Sequence, residues 1–539
     1  MGVFELVTRD CKTCLTFIIL ILFVYYIVKK VLSKYFGHTT LPGPWGLPVV
    51  GHLHYLTQNS ARTLMQMSEK YGDVFSIQMG NFPTIVLNSN AAIREALIDN
   101  ADVFSDRPPF FTCKAFSMNT LAFGCYTPRW KMHRKIAERV LGDFTSKNSS
   151  LVDMINTEAE VLVSNFLNSK GQEYDPHDEI YVTVGSIIYQ TCFGADKHCR
   201  ENETFIKMIN STEDFVRFIG AGNPIDALPW LQYIMTNKVK QFLEIVKEQR
   251  NLTEQAVKEH ISSYDAFHHR GITDGLICAA GKYCLHSDRK GGITKEEVLS
   301  TVRDFLGGGY QTVSTALEWL ILYLAAYPDI QKKVQHEIDA VVISNYPIIN
   351  DKEKLPFTES VILETLRLCP VSPLLIPHAA STDTTFRNYR VKKGTVVICN
   401  SFATTRDPLT WKNPEEFNPE RFLDIYGNIV RKQADKLLSF SVGRRRCPGK
   451  YLANMELLLF VTNIFKFCFI ELCNKPDFTG EYGLVFKPTP YKIKVTPRYN
   501  IQDGEFKYDF VPTYNFNRQG LTLFPGQRLS CQTRAEQIV

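Results

Sequence analysis

Hydrophobic residues run nearly unbroken in one place. Residues 15–28 (LTFIILILFVYYIV) are apolar apart from Thr16, and the run reaches Leu32 if Lys29 and Lys30 turn their charged ends outward. That is the length of a short membrane-spanning helix. A secretory leader would have a basic start and a small-residue cleavage site. Here the start mixes Glu5, Arg9, Asp10 and Lys12, and Lys29, Lys30 and Lys34 follow the run. The pattern predicts an uncleaved single-pass anchor with the body on the cytosolic side. The sequons at Asn148, Asn202, Asn210 and Asn251 are then chance matches.

Beyond the run, polarity alternates at shorter periods. Residues 41–52 (LPGPWGLPVVGH) are too rich in proline and glycine for a helix and predict a stiff, turning linker. Residues 61–71 predict a helix; 74–79 and 84–87 predict strands joined at 80–83. Long helical stretches dominate 130–368. Short strands and turns follow Pro370, as in 389–397 with a turn at 392–394, and helix returns from Lys450 to about Leu472. Residues 499–539 are polar, punctuated by Gly and Pro, and predict a weakly ordered extension. The expected class is mainly α with small β-sheets.

Composition narrows this little. The chain has 539 residues, 45% hydrophobic and 22% charged, which excludes a disordered chain, a collagen and a small disulfide scaffold. A formal charge of +5 carries no nucleic-acid signal, though it suits an anionic membrane or an acidic partner. The 14 cysteines have no framework or zinc spacing.

One cysteine stands out, in Phe440-Ser441-Val442-Gly443-Arg444-Arg445-Arg446-Cys447-Pro448-Gly449. Pro448 suits a first helical position, which would put Cys447 at the N-cap. There the free amides and the helix dipole favour an anion. A thiolate so placed can ligate a metal or act as a nucleophile; a buried cysteine beside a basic turn is the bland alternative. The stretch resembles the haem-binding loop of the cytochrome P450 family, FxxGxRxCxG, and Phe440, Gly443, Arg445, Cys447 and Gly449 fill all its fixed positions. The resemblance implies haem b with Cys447 as the proximal iron ligand, and Arg445 paired with a propionate.

Other segments resemble the same family. Glu364 and Arg367 are three apart on a predicted helix, a spacing that says nothing alone. Their place before the cysteine loop matches the family's ExxR. With Arg421 they imply a structural network behind the haem. Trp130 and Arg134, four apart, imply donors to the propionates, and His378 a similar role. Residues 304–320 (DFLGGGYQTVSTALEWL) carry three glycines that would weaken a helix by roughly 3 kcal/mol against alanine. They mark either a hinge or a distorted helix with room over a cofactor, where a local widening could free a carbonyl. The stretch resembles the family's oxygen-binding [AG]-G-x-[DE]-T: Gly308, Gly309 and Thr312 match, but Gln311 stands where an acid is expected. Thr312 can position water, whereas Gln311 can hydrogen-bond but not ionise.

The resemblance covers about 41–498 and looks closest to the animal microsomal group that includes aromatic-hydrocarbon-oxidising enzymes and steroid 17-alpha-hydroxylases. It implies an endoplasmic reticulum membrane protein. Residues 1–40 would be anchor and flank, 41–52 linker, 53–498 one haem-thiolate catalytic domain and 499–539 an extension. The expected activity inserts one oxygen atom of O2 into a planar aromatic or steroid substrate. Segment 108–128, with Phe110, Phe111, Phe116, Phe123 and Tyr126, would line the substrate site. No flavin or GxGxxG motif is evident, so electrons from NADPH would come through NADPH–cytochrome P450 reductase, docking at Arg444, Arg446 and Lys450, with cytochrome b5 a further candidate. The alternatives are a haem-thiolate isomerase or dehydratase acting on a hydroperoxide, suggested by Gln311, and a non-catalytic haem or ligand carrier.

Overall fold

The computed structural model describes residues 41–498 apart from 57–58, 118, 147–148, 196–197, 220–222, 266–267, 282–291 and 344–345, together with residues 24, 515–517 and 520–522. The predicted anchor and most of the predicted extension therefore lie outside the described residues. Among the described residues, no helix is long and apolar enough to cross a membrane.

The principal helices are α1 (Ser60–Tyr71), α2 (Phe111–Phe116), α3 (Pro128–Ser146), α4 (Ser149–Asn168), α5 (His177–Phe193), α6 (Glu203–Ile219), α7 (Thr236–Ser262), α8 (Ile272–Ala280), α9 (Lys295–Ala326), α10 (Pro328–Val341), α11 (Pro356–Leu368) and α12 (Lys450–Phe467). The strands are β1 (Val74–Met79), β2 (Phe82–Leu87), β3 (His378–Ala379), β4 (Thr384–Phe386), β5 (Tyr389–Val391), β6 (Val396–Cys399), β7 (Cys468–Leu472), β8 (Glu481–Tyr482), β9 (Phe486–Lys487) and β10 (Ile493–Pro497).

Helix α9 is the axis of the body. A reciprocal cap starts it: the Thr294 hydroxyl accepts from the Glu297 amide, and the Glu297 carboxylate accepts from the Thr294 amide. It then runs without a break through Gly307–Gly309, so the expected hinge or widening is absent. Packing offsets the weak glycine propensity. A Cβ on Gly309 would lie 2.5 Å from Cδ1 of Ile188 on α5, so the missing side chain lets the two helices close. Around α9, α5 and α12 contribute one apolar core that includes Trp319, Leu320, Phe460 and Ile464.

A four-stranded sheet in the order β1-β2-β6-β3 forms the other side. β1 and β2 make an antiparallel hairpin, and β2 pairs parallel with β6 from Thr84 onward. Pro83 lies inside β2 rather than in the turn, just before that parallel ladder begins, where a missing N–H is tolerated. β5 and β6, expected as neighbours, belong to different sheets. α12 stops at Phe467, and residues 468–472 form β7, because Cys468 and Ile470 alternate inward against β10. The predicted linker does not stand free: the Ser76 amide donates to Pro42 O (2.7 Å) and the His52 amide to Gln78 O (2.7 Å), which ties it to β1.

Candidate functional site

A cavity of about 390 Å³ lies between the cysteine loop and α9. The loop's shape is set by Gly443, whose φ is +73°; a Cβ there would sit 1.9 Å from the Leu97 carbonyl oxygen, so no other residue fits. The Cys447 amide closes the loop on Phe440 O at 2.8 Å. Cys447 is not the N-cap. α12 starts at Lys450 with Gly449 as its cap, because Pro448 and Gly449 form the preceding turn. The expected amides are there, since those of Gly449 and Lys450 both donate to the sulfur, but on their own they do not lower the thiol as the helix start predicted. Burial pushes the thiol up, while those amides and the cations of Arg134 and Lys450 oppose it. The accessible surface of Cys447 faces the cavity.

Four arginines and a histidine line the same cavity: Arg107, Arg134, Arg303, Arg445 and His378. Buried Arg445 donates to the carbonyls of Ser105 (2.9 Å), Leu121 (3.1 Å) and Gly124 (2.6 Å). Arg107 donates to those of Ala122, Ile376 and Pro377. Burial and the neighbouring cations push Arg445 down to about 8, and burial first of all pushes Arg107 down to about 10. A guanidinium does not deprotonate in a protein; the depression reports cations taken out of water without enough negative charge. Arg134 has Glu138 at 3.0 Å and also donates to Arg446 O. His378 Nδ1 lies 2.7 Å from Phe104 O, and burial followed by the Arg107 charge holds the ring well below its usual range, hence neutral. Trp130 does not line the cavity. It lies under Arg445, whose guanidinium is 3.8 Å from its ring centroid, and its indole N–H donates to Leu121 O at 3.2 Å.

This set fits a haem: a sulfur for the iron, apolar walls for the macrocycle, and buried cations lacking an anion where propionates would go.

The opposite wall is α9. Gly308 opens onto the cavity, and a Cβ on it would meet nothing within 4 Å. The Thr312 hydroxyl donates to Gly308 O at 2.9 Å. Gln311 is buried, with Nε2 2.5 Å from Glu213 Oε1 and 2.8 Å from Tyr310 Oη. Asp304, also lining the cavity, accepts from the amides of Leu121 and Ala122, and burial pushes it up to about 7.

The aromatic segment divides. Phe116 and Phe123 line the cavity and meet edge to face at 5.7 Å. Phe110 and Phe111 do not line it: Phe110 packs on Phe82 of β2, and Phe111 on Phe242 of α7. On α11, whose Leu366 lines the cavity, Glu364 and Arg367 are fully buried, with Arg367 Nε and Nη2 at 2.7 and 2.9 Å from the carboxylate and Arg421 Nε at 2.9 Å. The other Arg367 protons go to the carbonyls of Thr405, Pro414 and Glu416. Sequence reasoning missed Arg107, Asp304 and Glu213. Arg107 precedes two prolines at the head of the aromatic segment, a position with no period to flag it. Asp304 opened the glycine stretch but was passed over.

A family model described as Cytochrome P450 matches residues 41–495. The chain is 35% identical over 504 residues to "Cytochrome P450 1A1" of Oryzias latipes, covering 89% of this chain and 95% of that protein. It is 33% identical over 466 residues to "Cytochrome P450 1A5" of Gallus gallus, covering 84% and 88%. Among solved structures, a zebra fish cytochrome P450 with progesterone aligns with TM-score 0.73 and 29% identity, over 81% of this chain and 99% of that one. A second, with abiraterone, aligns with TM-score 0.70 and 29% identity.

Proposed function

The chain belongs to the cytochrome P450 family and is a monooxygenase, and on that premise we propose that its substrate is a flat lipophile, a planar aromatic compound or a steroid. The reaction consumes C–H substrate, O2, two electrons and two protons and yields the hydroxylated product and water. The electrons come from NADPH through NADPH–cytochrome P450 reductase. The observation that carries the reading is Cys447, its sulfur held by two backbone amides in a largely apolar cavity where Arg107 and Arg445 have only carbonyls for partners.

Bound haem supplies the iron that activates dioxygen. The chain's own residues do the rest. Cys447 would hold the iron through its thiolate. Arg445, Arg134 and Arg107 would hold the propionates, with the neutral His378 ring beside them. Trp130 braces Arg445 from below. Glu364, Arg367 and Arg421 lock the segment carrying residues 405–416 against α11. Gly308 leaves room beside the reacting centre, and Thr312 can turn its hydroxyl from Gly308 O to a water. Phe116 and Phe123, with Phe215, clasp a flat apolar ligand. Exposed Arg444, Arg446 and Lys450 sit on the cysteine side as the docking charges for an acidic reductase face. The apolar N-terminal run anchors the chain in the endoplasmic reticulum membrane.

The test is Cys447→Ala. The reduced carbon-monoxide complex of the parent should absorb as thiolate-ligated haem, and the variant should lose that band; an unchanged band would refute the ligand. Reconstituted with reductase and NADPH, the parent should hydroxylate planar aromatics or steroids. Rearrangement of a hydroperoxide without NADPH would instead establish the isomerase reading.

A further inference from the structure

One cavity-lining cation is left over once the propionates are placed. Arg303, on α9, lines the cavity, and its side chain is 4% exposed. Its Nε and Nη2 have no hydrogen-bond acceptor among the described residues. These are the two donors with which Arg367 holds the Glu364 carboxylate elsewhere in the molecule. The charged groups around Arg303 are Glu296, Asp304 and Arg250. Glu296 does not close the site: its Oε1 stays 3.7 Å from Arg303 Nη2, and its Oε2 accepts from Arg250 Nη2 on α7 at 2.8 Å. One carboxylate therefore serves two guanidinium groups. Asp304 spends Oδ2 on the amides of Leu121 and Ala122, and burial pushes it up to about 7, so it is a weak counter-charge at neutral pH.

The surroundings are those of a ligand. The guanidinium carbon lies 5.3 Å from the ring centroid of Phe116, which meets Phe215 of α6 at 4.8 Å and Phe123 at 5.7 Å. Other donors lining that side are spent on backbone: Thr253 Oγ1 on Gln249 O, and Gln249 Nε2 on Ser211 O. Arg303 precedes Gly308 by five residues, about 8 Å along the helix axis, so a group held there is separated by a fused-ring body from the open wall beside Thr312. Folding has already taken Arg303 out of water. A ligand carboxylate therefore gains the full attraction while only its own desolvation remains to be offset.

We propose that Arg303 sets substrate specificity: the substrate carries a carboxylate at one end of its flat apolar body, and Arg303 grips that end so that the other end faces Gly308 and Thr312. This deepens the monooxygenase reading and rests on it.

The probes are 1-pyrenebutyrate and its uncharged amide, which share ring and chain. Each is titrated into the haem-loaded full chain and followed by the shift in haem absorption on ligand binding. The parent should favour the butyrate, and R303L should lower the butyrate-to-amide affinity ratio by about 10- to 100-fold, the worth of a hydrogen-bonded charge. R303Q, which removes the charge but keeps polarity and much of the volume, should do the same and serves if R303L fails to fold or to load haem. R303K keeps the charge without the fork and should retain part of the preference. Preference of the parent for the amide, or a ratio unchanged in R303L and R303Q, would overturn the proposal. Equal weakening of both probes would assign Arg303 to packing on Phe116 and overturn it as well. These failures would occur with the thiolate spectrum of the parent intact; absence of that spectrum would defeat the monooxygenase reading instead.

Discussion

Two groups of buried arginines behave in opposite ways. Arg367 and Arg421 share one carboxylate, Glu364, and the remaining Arg367 donors all reach carbonyls. Arg107 and Arg445 have carbonyls only, and lie close enough to repel one another. The first group is electrically closed and makes sense as architecture. The second is open, and an anion of two carboxylates would close it. Satisfaction, rather than burial or residue type, separates a structural ion cluster from a binding site.

The sharpest way to break that contrast is Arg367→Ala. Removing one partner of a fully buried pair leaves Glu364 facing Arg421 alone and should destabilise the fold by about 3–5 kcal/mol, seen as a large drop in melting temperature or failure to fold. Arg445→Gln should behave differently. Stability without haem should fall by less than in Arg367→Ala, because the loss of the three carbonyl hydrogen bonds is offset by removal of a buried cation that no carboxylate pairs with, while haem transfer to an acceptor protein should quicken about 10–100-fold. Equal losses of stability in the two variants would erase the distinction. A finer test uses Glu456, on α12 at the cavity, fully buried and with neither carboxylate oxygen hydrogen-bonded among the described residues. Burial pushes it up to about 8 from an ordinary 4.5. A raised folded-state value means stability is fullest below about 4.5 and declines as the pH rises to about 8, by at most about 1.4 kcal/mol per pH unit. Glu456→Gln should flatten that decline in melting temperature measured from pH 5 to 8; parallel curves would show that Glu456 is neutralised by a partner.

The cysteine loop was legible because its constraints are local. Gly443 must tolerate a positive φ, and the two amides after Pro448 meet the sulfur within three residues of it. The start at Lys450 was placed correctly but its cap was not, since sequence shows that Pro448 can begin a helix but not that Pro448 and Gly449 turn first. The ExxR pair was uninformative by spacing, and its burial became visible only when residues 405–421 came to rest against α11. In the aromatic segment the residue types were apparent but their direction was not, so Phe110 and Phe111 fell on β2 and α7 instead of on the cavity. Residues 468–472 read as helix because a short apolar run has no period that tells a last helical turn from a buried strand.

Sequence by itself determined the cysteine loop, the mainly helical class, the glycine-rich wall and the absence of an acid at 311, since each depends on neighbours along the chain. Tertiary structure decided what surrounds them: that Arg107 and Arg445 share one unneutralised pocket, that Gly309 serves Ile188 while Gly308 serves the cavity, and that Glu213 of α6 accepts from the Gln311 amide. Electrostatic and steric effects act through a few ångströms of space, and residues 98 positions apart, such as Glu213 and Gln311, become neighbours only when the helices pack.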